Sequence, residues 1–358
     1  MNKFLKEFMI ADGLKCNSQL IRQSNVELLR IVCMLMILVH HFITHGFYSI
    51  GMILGDYGGL DFISCFAITL NSFCYIGVNC FILISGYFGI KFKWKAVYKL
   101  YFILMFYEVV HCFIDLYVKQ ETRSFGELIN DIIFVIPSDR WWFMNCYFIF
   151  MFLTPLLRLK EFTNSQYKQA IVLLSIANIY FGYLLGFYSN GYSVAHFVFI
   201  YVIGGYLKRI DLKKYSRSIF LVIYIVSCLL FAILSVVSHY YSIPHWDAMS
   251  YNNPLLVLGA IGFFLFFLSF NLHSKIVNNI ANSALSVYLL QDLQLFKVFS
   301  NKFGGIGLFD NNIFVFAITL LGGATIFLIV SYFIDQIRLF FYYSVNIIGS
   351  KFCYCINK

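Results

Sequence analysis

The chain has 358 residues, of which 61% are apolar, 20% are aromatic and only 12% are charged. Soluble globular domains carry about twice that charged fraction, so this composition excludes a soluble enzyme. Apolar runs of about twenty residues recur along the whole length, and each can cross a hydrocarbon core of about 30 Å. The runs lack the period-two alternation of membrane strands, which excludes a β-barrel. The composition therefore predicts an all-α, polytopic transmembrane helical bundle.

Ten membrane spans are predicted from these runs. They cover residues 26–47, 62–88, 94–118, 141–157, 169–187, 193–208, 217–238, 254–272, 283–300 and 313–343. The ninth is the least apolar, because it contains Gln291, Asp292 and Gln294. The predicted division is a cytoplasmic segment 1–25, a membrane domain 26–343 and a cytoplasmic tail 344–358. Segment 119–140 is predicted to be an outer loop with an amphipathic helix around 125–136.

The distribution of lysine and arginine predicts the orientation. With the amino terminus in the cytoplasm, the inner segments hold 21 Lys and Arg residues and the outer segments hold 5. This asymmetry follows the positive-inside rule and places both termini inside. The formal net charge of +9 therefore indicates topology and not a nucleic-acid partner. A multi-pass protein of a bacterial cytoplasmic membrane, surrounded by lipid, is expected.

The cysteine pattern predicts no metal site. Ten cysteines are scattered through the apolar runs, without a C-x-x-C pair or a Cys/His zinc spacing. Cys353 and Cys355 form a lone C-x-C near the end of the chain. We interpret the cysteines as small hydrophobic residues in a lipid setting.

The first predicted span carries an arginine and a histidine eleven residues apart, Arg30 and His41. Eleven steps of about 100° return to within roughly 20° of the starting direction, so both side chains share one helix face, roughly 16 Å apart along the axis. Glu27, one turn before Arg30, can pair with it. Ionisable groups inside a membrane are costly and indicate function by default. The alternative is that Arg30 anchors the helix by snorkelling and His41 is a packing hydrogen bonder.

Both side chains suit acyl transfer. An imidazole titrates near neutral pH, so His41 could take a proton from a hydroxyl that attacks a thioester. A guanidinium suits a phosphate or a developing oxyanion, which is the role considered for Arg30. The same pair would also fit a proton relay.

Two further groups of polar residues lie on the third predicted span. Glu108, His111 and Asp115 share one helix stripe, and they fit either a polar substrate cavity or structural pairing equally well. The basic run at the inner end of this span is typical of positive-inside anchoring, and it could also bind the phosphates of a cytoplasmic donor such as coenzyme A. That run comprises Lys91, Lys93, Lys95 and Lys99.

Tryptophans open the fourth predicted span. Trp141 and Trp142 would lie at the outer interface, where an aromatic belt explains them as well as a carbohydrate-stacking surface does. Trp142 is a candidate for contact with a sugar acceptor.

Four stretches resemble the signatures of the family-three membrane acyltransferases, and the likeness covers nearly the whole chain. They are residues 25–41 with Arg30 and His41, residues 77–87 ending in Ser85-Gly86-Tyr87, residues 142–155 beginning with Trp142, and residues 286–292 with Tyr288. Two departures stand out. Gln291 occupies a position where many members have histidine, and Asn145-Cys146-Tyr147 lacks an acid that some members carry.

The resemblance implies a membrane O-acetyltransferase that moves an acyl group from cytoplasmic acetyl-coenzyme A to a hydroxyl of a cell-envelope polysaccharide or its lipid-linked precursor. Acetyl-coenzyme A would be a substrate, and no permanently bound cofactor is expected. His41 would be the general base or a transient acyl carrier, and Arg30 would orient the donor. Lys95 and Lys99 of the basic run are the further candidates for binding the donor. The substrate-binding candidates are Glu27, Ser85, Glu108, His111, Trp142 and Tyr288.

Two alternatives remain at this stage. The stripe of Glu108, His111 and Asp115 would also suit a transporter or flippase of a polar or lipid-linked solute, although no paired broken helices are evident. A glycan polymerase is disfavoured, because it would need a large basic outer loop.

Overall fold

The structure is a computed structural model that describes residues 23–46, 62–118, 120–138, 140–187, 190–241, 250–291 and 312–356. Within these ranges the chain is helical and contains no strand, which confirms the all-α prediction. Most of the predicted amino-terminal segment 1–25 and the predicted ninth span from Asp292 onward lie outside the described residues.

The helices are named here in chain order. The first half contains α1 (Ser24–His41), α2 (Phe62–Cys74), α3 (Gly77–Phe88), α4 (Trp94–Phe113), α5 (Phe125–Ile133) and α6 (Trp142–Leu157). The second half contains α7 (Asn164–Ser175), α8 (Val194–Leu207), α9 (Arg217–Tyr240), α10 (Pro254–Leu268), α11 (Lys275–Ala281), α12 (Ala284–Leu290) and α13 (Ile313–Ile356). Wider π-helical turns extend α1, α4 and α7 over Phe42–Gly46, Ile114–Val118 and Ile176–Leu184.

Several of these helices can cross a membrane. Five stretches in the described part of the chain are long and apolar enough, namely Ser24–His45, Cys65–Phe88, Trp94–Tyr117, Arg217–Val237 and Ile313–Ser344. Three shorter apolar helices, Trp142–Leu157, Val194–Leu207 and Pro254–Leu268, accompany them. The chain is therefore a multi-helix membrane protein, while the count of ten spans and the cytoplasmic location of both termini stay predictions.

A turn interrupts one predicted span, and a second predicted span begins at a turn. A turn at Tyr75 and Ile76 divides the span predicted over 62–88, although it keeps the backbone bond from Tyr75 N to Asn71 O at 2.9 Å. The span predicted from 283 begins with the seven-residue helix α12, which a turn at Asn282 and Ser283 separates from α11. At that turn the Ser283 hydroxyl donates to the carboxylate of Asp335 in α13 at 2.7 Å.

Helix α1 lies at the centre of the bundle and packs against α2, α3, α10, α11, α12 and α13. Its inward residues, such as Leu29, Cys33 and Leu38, are fully buried. Its first turn is tied to the end of α10, where the Asn25 amide donates to the Phe267 carbonyl at 2.9 Å. About two thirds of this span is buried inside the bundle, so most of its side chains face other helices.

Helices α3 and α8 approach each other at two glycines. The backbone of Tyr201 occupies the space where a Gly86 side chain would be, and a methyl group on Gly204 would lie 2.5 Å from the Leu83 carbonyl oxygen. Small residues at such contacts allow the backbones of membrane helices to pack closely. The two glycines therefore hold the Ser85 end of α3 against α8.

Replacing Gly86 by valine is expected to destabilise the protein by about 1 to 3 kcal/mol or more, because the new side chain would push α3 away from α8. The measurement is thermal unfolding of the detergent-purified protein. Gly126 in α5 provides a control, since a side chain there meets open space. Gly126→Ala should leave stability unchanged or raise it by up to about 1 kcal/mol. Equal unfolding temperatures for the Gly86 and Gly126 variants would contradict the close packing of α3 and α8 at Gly86.

The amphipathic helix predicted around 125–136 is confirmed as α5. It begins with a capping box, in which Ser124 and Glu127 satisfy each other's backbone N–H groups. Its apolar residues Phe125, Ile129 and Ile133 are exposed. A helix with an exposed apolar face is suited to lie in a membrane interface.

Candidate active site

The Arg30 side of α1 carries an ion pair. Nη1 of Arg30 donates to the Glu27 carboxylate at 3.2 Å and 3.3 Å, as their spacing predicts. The Glu27 side chain is only 8% exposed, while Arg30 is 34% exposed. Arg30 therefore keeps part of its guanidinium available toward the space beside it, and Glu27 holds the side chain in position.

A cavity of about 290 Å³, here called the Arg30 cavity, lies beside this pair. Apolar side chains form most of its wall, and it has five polar lining residues: Arg30, Ser85, Tyr147, Asn282 and Tyr288. The Ser85 and Tyr147 hydroxyls are close enough to interact, and the charge of Arg30 acts on Tyr147. A mostly apolar cavity with a few convergent polar groups is the usual form of a small-molecule site.

His41 lies beyond the far end of this cavity. Its Nδ1 is 2.8 Å from Oε1 of Gln291, and the side chain is half-buried. With Nδ1–H donating to the amide oxygen, the lone pair of the neutral ring is on Nε2. In this tautomer the hydrogen bond holds the ring in place, and Nε2 is the ring nitrogen that can accept a proton.

The Arg30 cavity ends one helical turn from His41. Ile37 of α1 lines it and lies four residues before His41. Tyr288 of α12 also lines it and lies three residues before Gln291. At 1.5 Å per residue the remaining axial distance is about 4.5 to 6 Å. The cavity thus covers most of the roughly 16 Å between Arg30 and His41.

The neighbouring histidines have other environments. His40 is buried, with Nδ1 2.7 Å from Oδ1 of Asn71 and its ring against Tyr75. His45 is exposed, and its ring centroid is 5.7 Å from that of His41. No group of three or more His, Cys, Asp or Glu side chains in the described ranges could hold a metal ion.

Trp142 belongs to an aromatic cluster at the His41 end. Its ring centroid is 4.4 Å from that of Tyr192 and 5.4 Å from that of Tyr251. Tyr251 stacks on Tyr75 at 4.6 Å, and Tyr75 in turn contacts His40. Half-buried Trp142 is therefore part of a continuous aromatic wall and lies outside the lining of the Arg30 cavity.

Tyr288 connects this end to the cavity. Its hydroxyl accepts the backbone N–H of Phe143 at 3.3 Å, so α12 and α6 are held together at the cavity wall. The structure thus brings the predicted residues Arg30, Ser85 and Tyr288 to one cavity, with Glu27 behind Arg30.

The predicted stripe on α4 lies apart from the Arg30 cavity and is paired. Nη2 of Arg140 donates to Asp115 at 2.5 Å, and its Nε is 3.6 Å from the Glu108 carboxylate. His111 Nε2–H donates to the Leu289 carbonyl at 2.7 Å. These contacts connect α4 to α12 and to the segment before α6.

Lys95 and Lys99 lie on the exposed surface of α4 and do not line the Arg30 cavity. The ammonium of Lys99 is 5.9 Å from the ring centroid of Tyr342. Two lining residues of the Arg30 cavity, Tyr147 and Asn282, were not predicted as site residues. Tyr147 lies within residues 142–155, one of the stretches that resemble the family signatures. Asn282 has no sequence signal, because its position depends on the turn between α11 and α12.

The comparison with family models identifies the class of protein. A model described as an acyltransferase domain, that of acyltransferase family 3, matches residues 23–334. The chain belongs to this family and is a membrane acyltransferase, which confirms the suspected resemblance. No curated protein and no solved structure matches the chain.

Proposed function

We propose that this protein is a membrane O-acetyltransferase that moves an acetyl group from acetyl-coenzyme A to a hydroxyl of a cell-envelope polysaccharide or its lipid-linked precursor. One observation carries the proposal: a cavity begins at Arg30 and ends one turn from His41 on the same central helix. The positive-inside count orients the Arg30 end toward the cytoplasmic donor and the His41 end toward the envelope.

His41 is the proposed general base. Nε2 accepts the proton of the acceptor hydroxyl while that oxygen attacks the thioester carbonyl, and Gln291 stabilises the imidazolium through Nδ1–H. The carbon–sulfur bond then breaks, and coenzyme A leaves as a thiol after the imidazolium returns the proton. The alternative is that His41 carries the acetyl group transiently on Nε2.

Arg30 is the proposed donor-side residue. Because it lies roughly 16 Å from His41, it does not act on the same atom as the base. It orients the donor through its guanidinium fork, while Glu27 restrains it. Ser85 and Tyr288 contact the part of the donor that occupies the cavity.

The acceptor sugar is proposed to approach at the His41 end, where Trp142 offers an aromatic face beside Tyr192. Glu108 and His111 lie on the α4 side of α12 and act there as supports of the acceptor region. A bacterial cytoplasmic membrane is the proposed location.

The test uses cells that lack this chain and cells complemented with it. Ester-linked acetate, released from envelope glycans by mild alkali, should appear only with the complemented chain. Purified protein in vesicles should also consume labelled acetyl-coenzyme A. The rival function, a transporter, is less favoured because Glu108, His111 and Asp115 are paired with neighbouring elements. Solute flux in vesicles without an acyl donor, together with no loss of thioester, would reject the enzyme and support the transporter.

A further inference from the structure

A second cavity, of about 410 Å³, lies at the Arg30 end of the bundle. It is bounded by the end of α3, the end of α6, the first turn of α7 and the end of α8. We call it the Lys208 cavity. The proposed function above does not use it.

Positive charge dominates the lining of the Lys208 cavity. Its four cations, accompanied by the single acid Glu161, are Arg158, Lys160, Lys208 and Arg209. Arg209 is structural, because it donates to Asn164 at 2.9 Å and stacks on Tyr167 at 4.5 Å. Its partners are neutral, so the lining keeps a net positive charge that Glu161 alone offsets, and the other three cations are the candidates to bind a ligand.

These three cations are weakly paired. The Arg158 guanidinium is 4.0 Å from the Glu161 carboxylate, and both side chains are largely exposed. Lys160 and Lys208 form no ion pair with the described residues, although the Lys208 ammonium is 5.9 Å from the Tyr87 ring centroid. An exposed ion pair at this distance contributes little to stability, so an anion with several oxygens could displace the Glu161 carboxylate from Arg158.

The cationic lining suits a ligand with several phosphate groups. Guanidinium forks and ammonium groups bind phosphate oxygens. Tyr87 and Tyr167 also line the cavity, and the Tyr167 ring is buried beneath Arg209. The Tyr201 hydroxyl accepts the Ile90 backbone N–H at 3.0 Å and fixes the wall between them.

Adjacent residues of α3 line the two cavities. Ser85 lines the Arg30 cavity, and the next residue, Gly86, lines the Lys208 cavity. This proximity suits a ligand that has an anionic head and a long arm. The contact between α3 and α8 at Gly86 and Gly204 is tightly packed, so the arm would have to pass on the Ser85 side of α3.

We infer that the Lys208 cavity binds the phosphates of coenzyme A, with Arg158, Lys160 and Lys208 around them. The pantetheine arm passes Ser85 into the Arg30 cavity and carries the thioester toward His41. This inference rests on the proposed function, and it replaces Lys95 and Lys99 as the donor's phosphate contacts. The chemical steps proposed at His41 are unchanged, because the Lys208 cavity binds the donor and takes no part in the reaction.

The test measures binding of labelled coenzyme A to the full chain in phosphatidylcholine nanodiscs. Arg158→Gln combined with Lys208→Gln should weaken binding about tenfold or more, since two charged contacts are lost. The control is Lys213→Gln with Lys214→Gln, two exposed lysines outside the cavity that should bind as wild type. Lys95→Gln with Lys99→Gln tests the rival location. Matching thermal unfolding checks that all variants are folded.

Adenosine 3′,5′-bisphosphate should compete with coenzyme A on wild type, and it should compete poorly on the Arg158 and Lys208 variant. Addition of phosphatidylglycerol to the nanodiscs distinguishes a site for coenzyme A phosphates from a site for lipid headgroup phosphates. If anionic lipid displaces coenzyme A and the bisphosphate does not, the cavity is a lipid headgroup site and the inference is wrong. Tight binding that depends on Lys95 and Lys99 instead would also overturn it. Absence of any coenzyme A binding by wild type would reject the proposed donor itself.

Discussion

Replacing His41 by alanine is expected to lower acetyl transfer by about 10²- to 10⁴-fold, the range that general-base catalysis typically contributes. The variant lacks the imidazole that meets Gln291 beyond the end of the Arg30 cavity. Donor binding should persist, because Arg30 and the cavity are unaffected. The measurement is the rate at which labelled acetate enters glycan, with the amount of inserted protein checked in the same membranes.

Two further variants separate the role of His41 from general damage. His45→Ala removes an exposed neighbouring imidazole and should retain activity. Gln291→Leu removes the acceptor of Nδ1–H and should lower kcat about tenfold or more with little change in KM, and Gln291→Glu should restore part of the loss. Normal acetylation by a correctly inserted His41→Ala variant would contradict the assignment. Label that remains on wild-type protein after exposure to donor alone would identify the acyl-carrier route.

Replacing Asp335 by alanine is expected to destabilise the protein by about 3 to 5 kcal/mol. Asp335 is buried in α13 and accepts hydrogen bonds from Arg338 at 2.6 Å, Tyr107 at 2.8 Å and Ser283 at 2.7 Å. Its loss leaves the Arg338 guanidinium, which is 4% exposed, without a counter-charge. The measurement is the unfolding temperature of the purified protein and its yield in membranes.

If the unpaired charge of Arg338 causes this loss of stability, removing both members of the ion pair together should lower the stability less than removing Asp335 alone. Asp335→Leu with Arg338→Met should recover much of the stability, because apolar replacement of a buried pair is often neutral. Glu161→Ala removes an exposed pair with the same i, i+3 spacing and should cost less than about 1 kcal/mol. Similar losses for Glu161→Ala and Asp335→Ala would refute the argument from burial.

The sequence predicts helices and local pairs well, because both depend on neighbours along the chain. The apolar runs indicate the membrane helices, and the spacing of Glu27 and Arg30 predicts their ion pair, which the structure contains. The contact between His41 and Gln291 joins residues 250 positions apart, and no local pattern specifies it.

The surroundings of charged residues were also not predictable where they depend on helices that lie far apart along the chain. Arg338 counted in the sequence analysis only as a positive charge of an inner segment, yet it is buried against Asp335. Arg158 and Lys208 supported the topology equally as isolated charges. Their common cavity exists because α6 and α8 end side by side, which the sequence does not reveal.

The separation of His41 from Gln291 has a consequence for biosynthesis. Helix α1 is synthesised before α12, and its His41 gains the Gln291 partner only after 250 further residues have been added. At about 5 to 20 residues per second, this interval is roughly 12 to 50 s. A nascent chain therefore carries the proposed base without the group that would orient it, and the proposed site is complete only when α12 docks on α1.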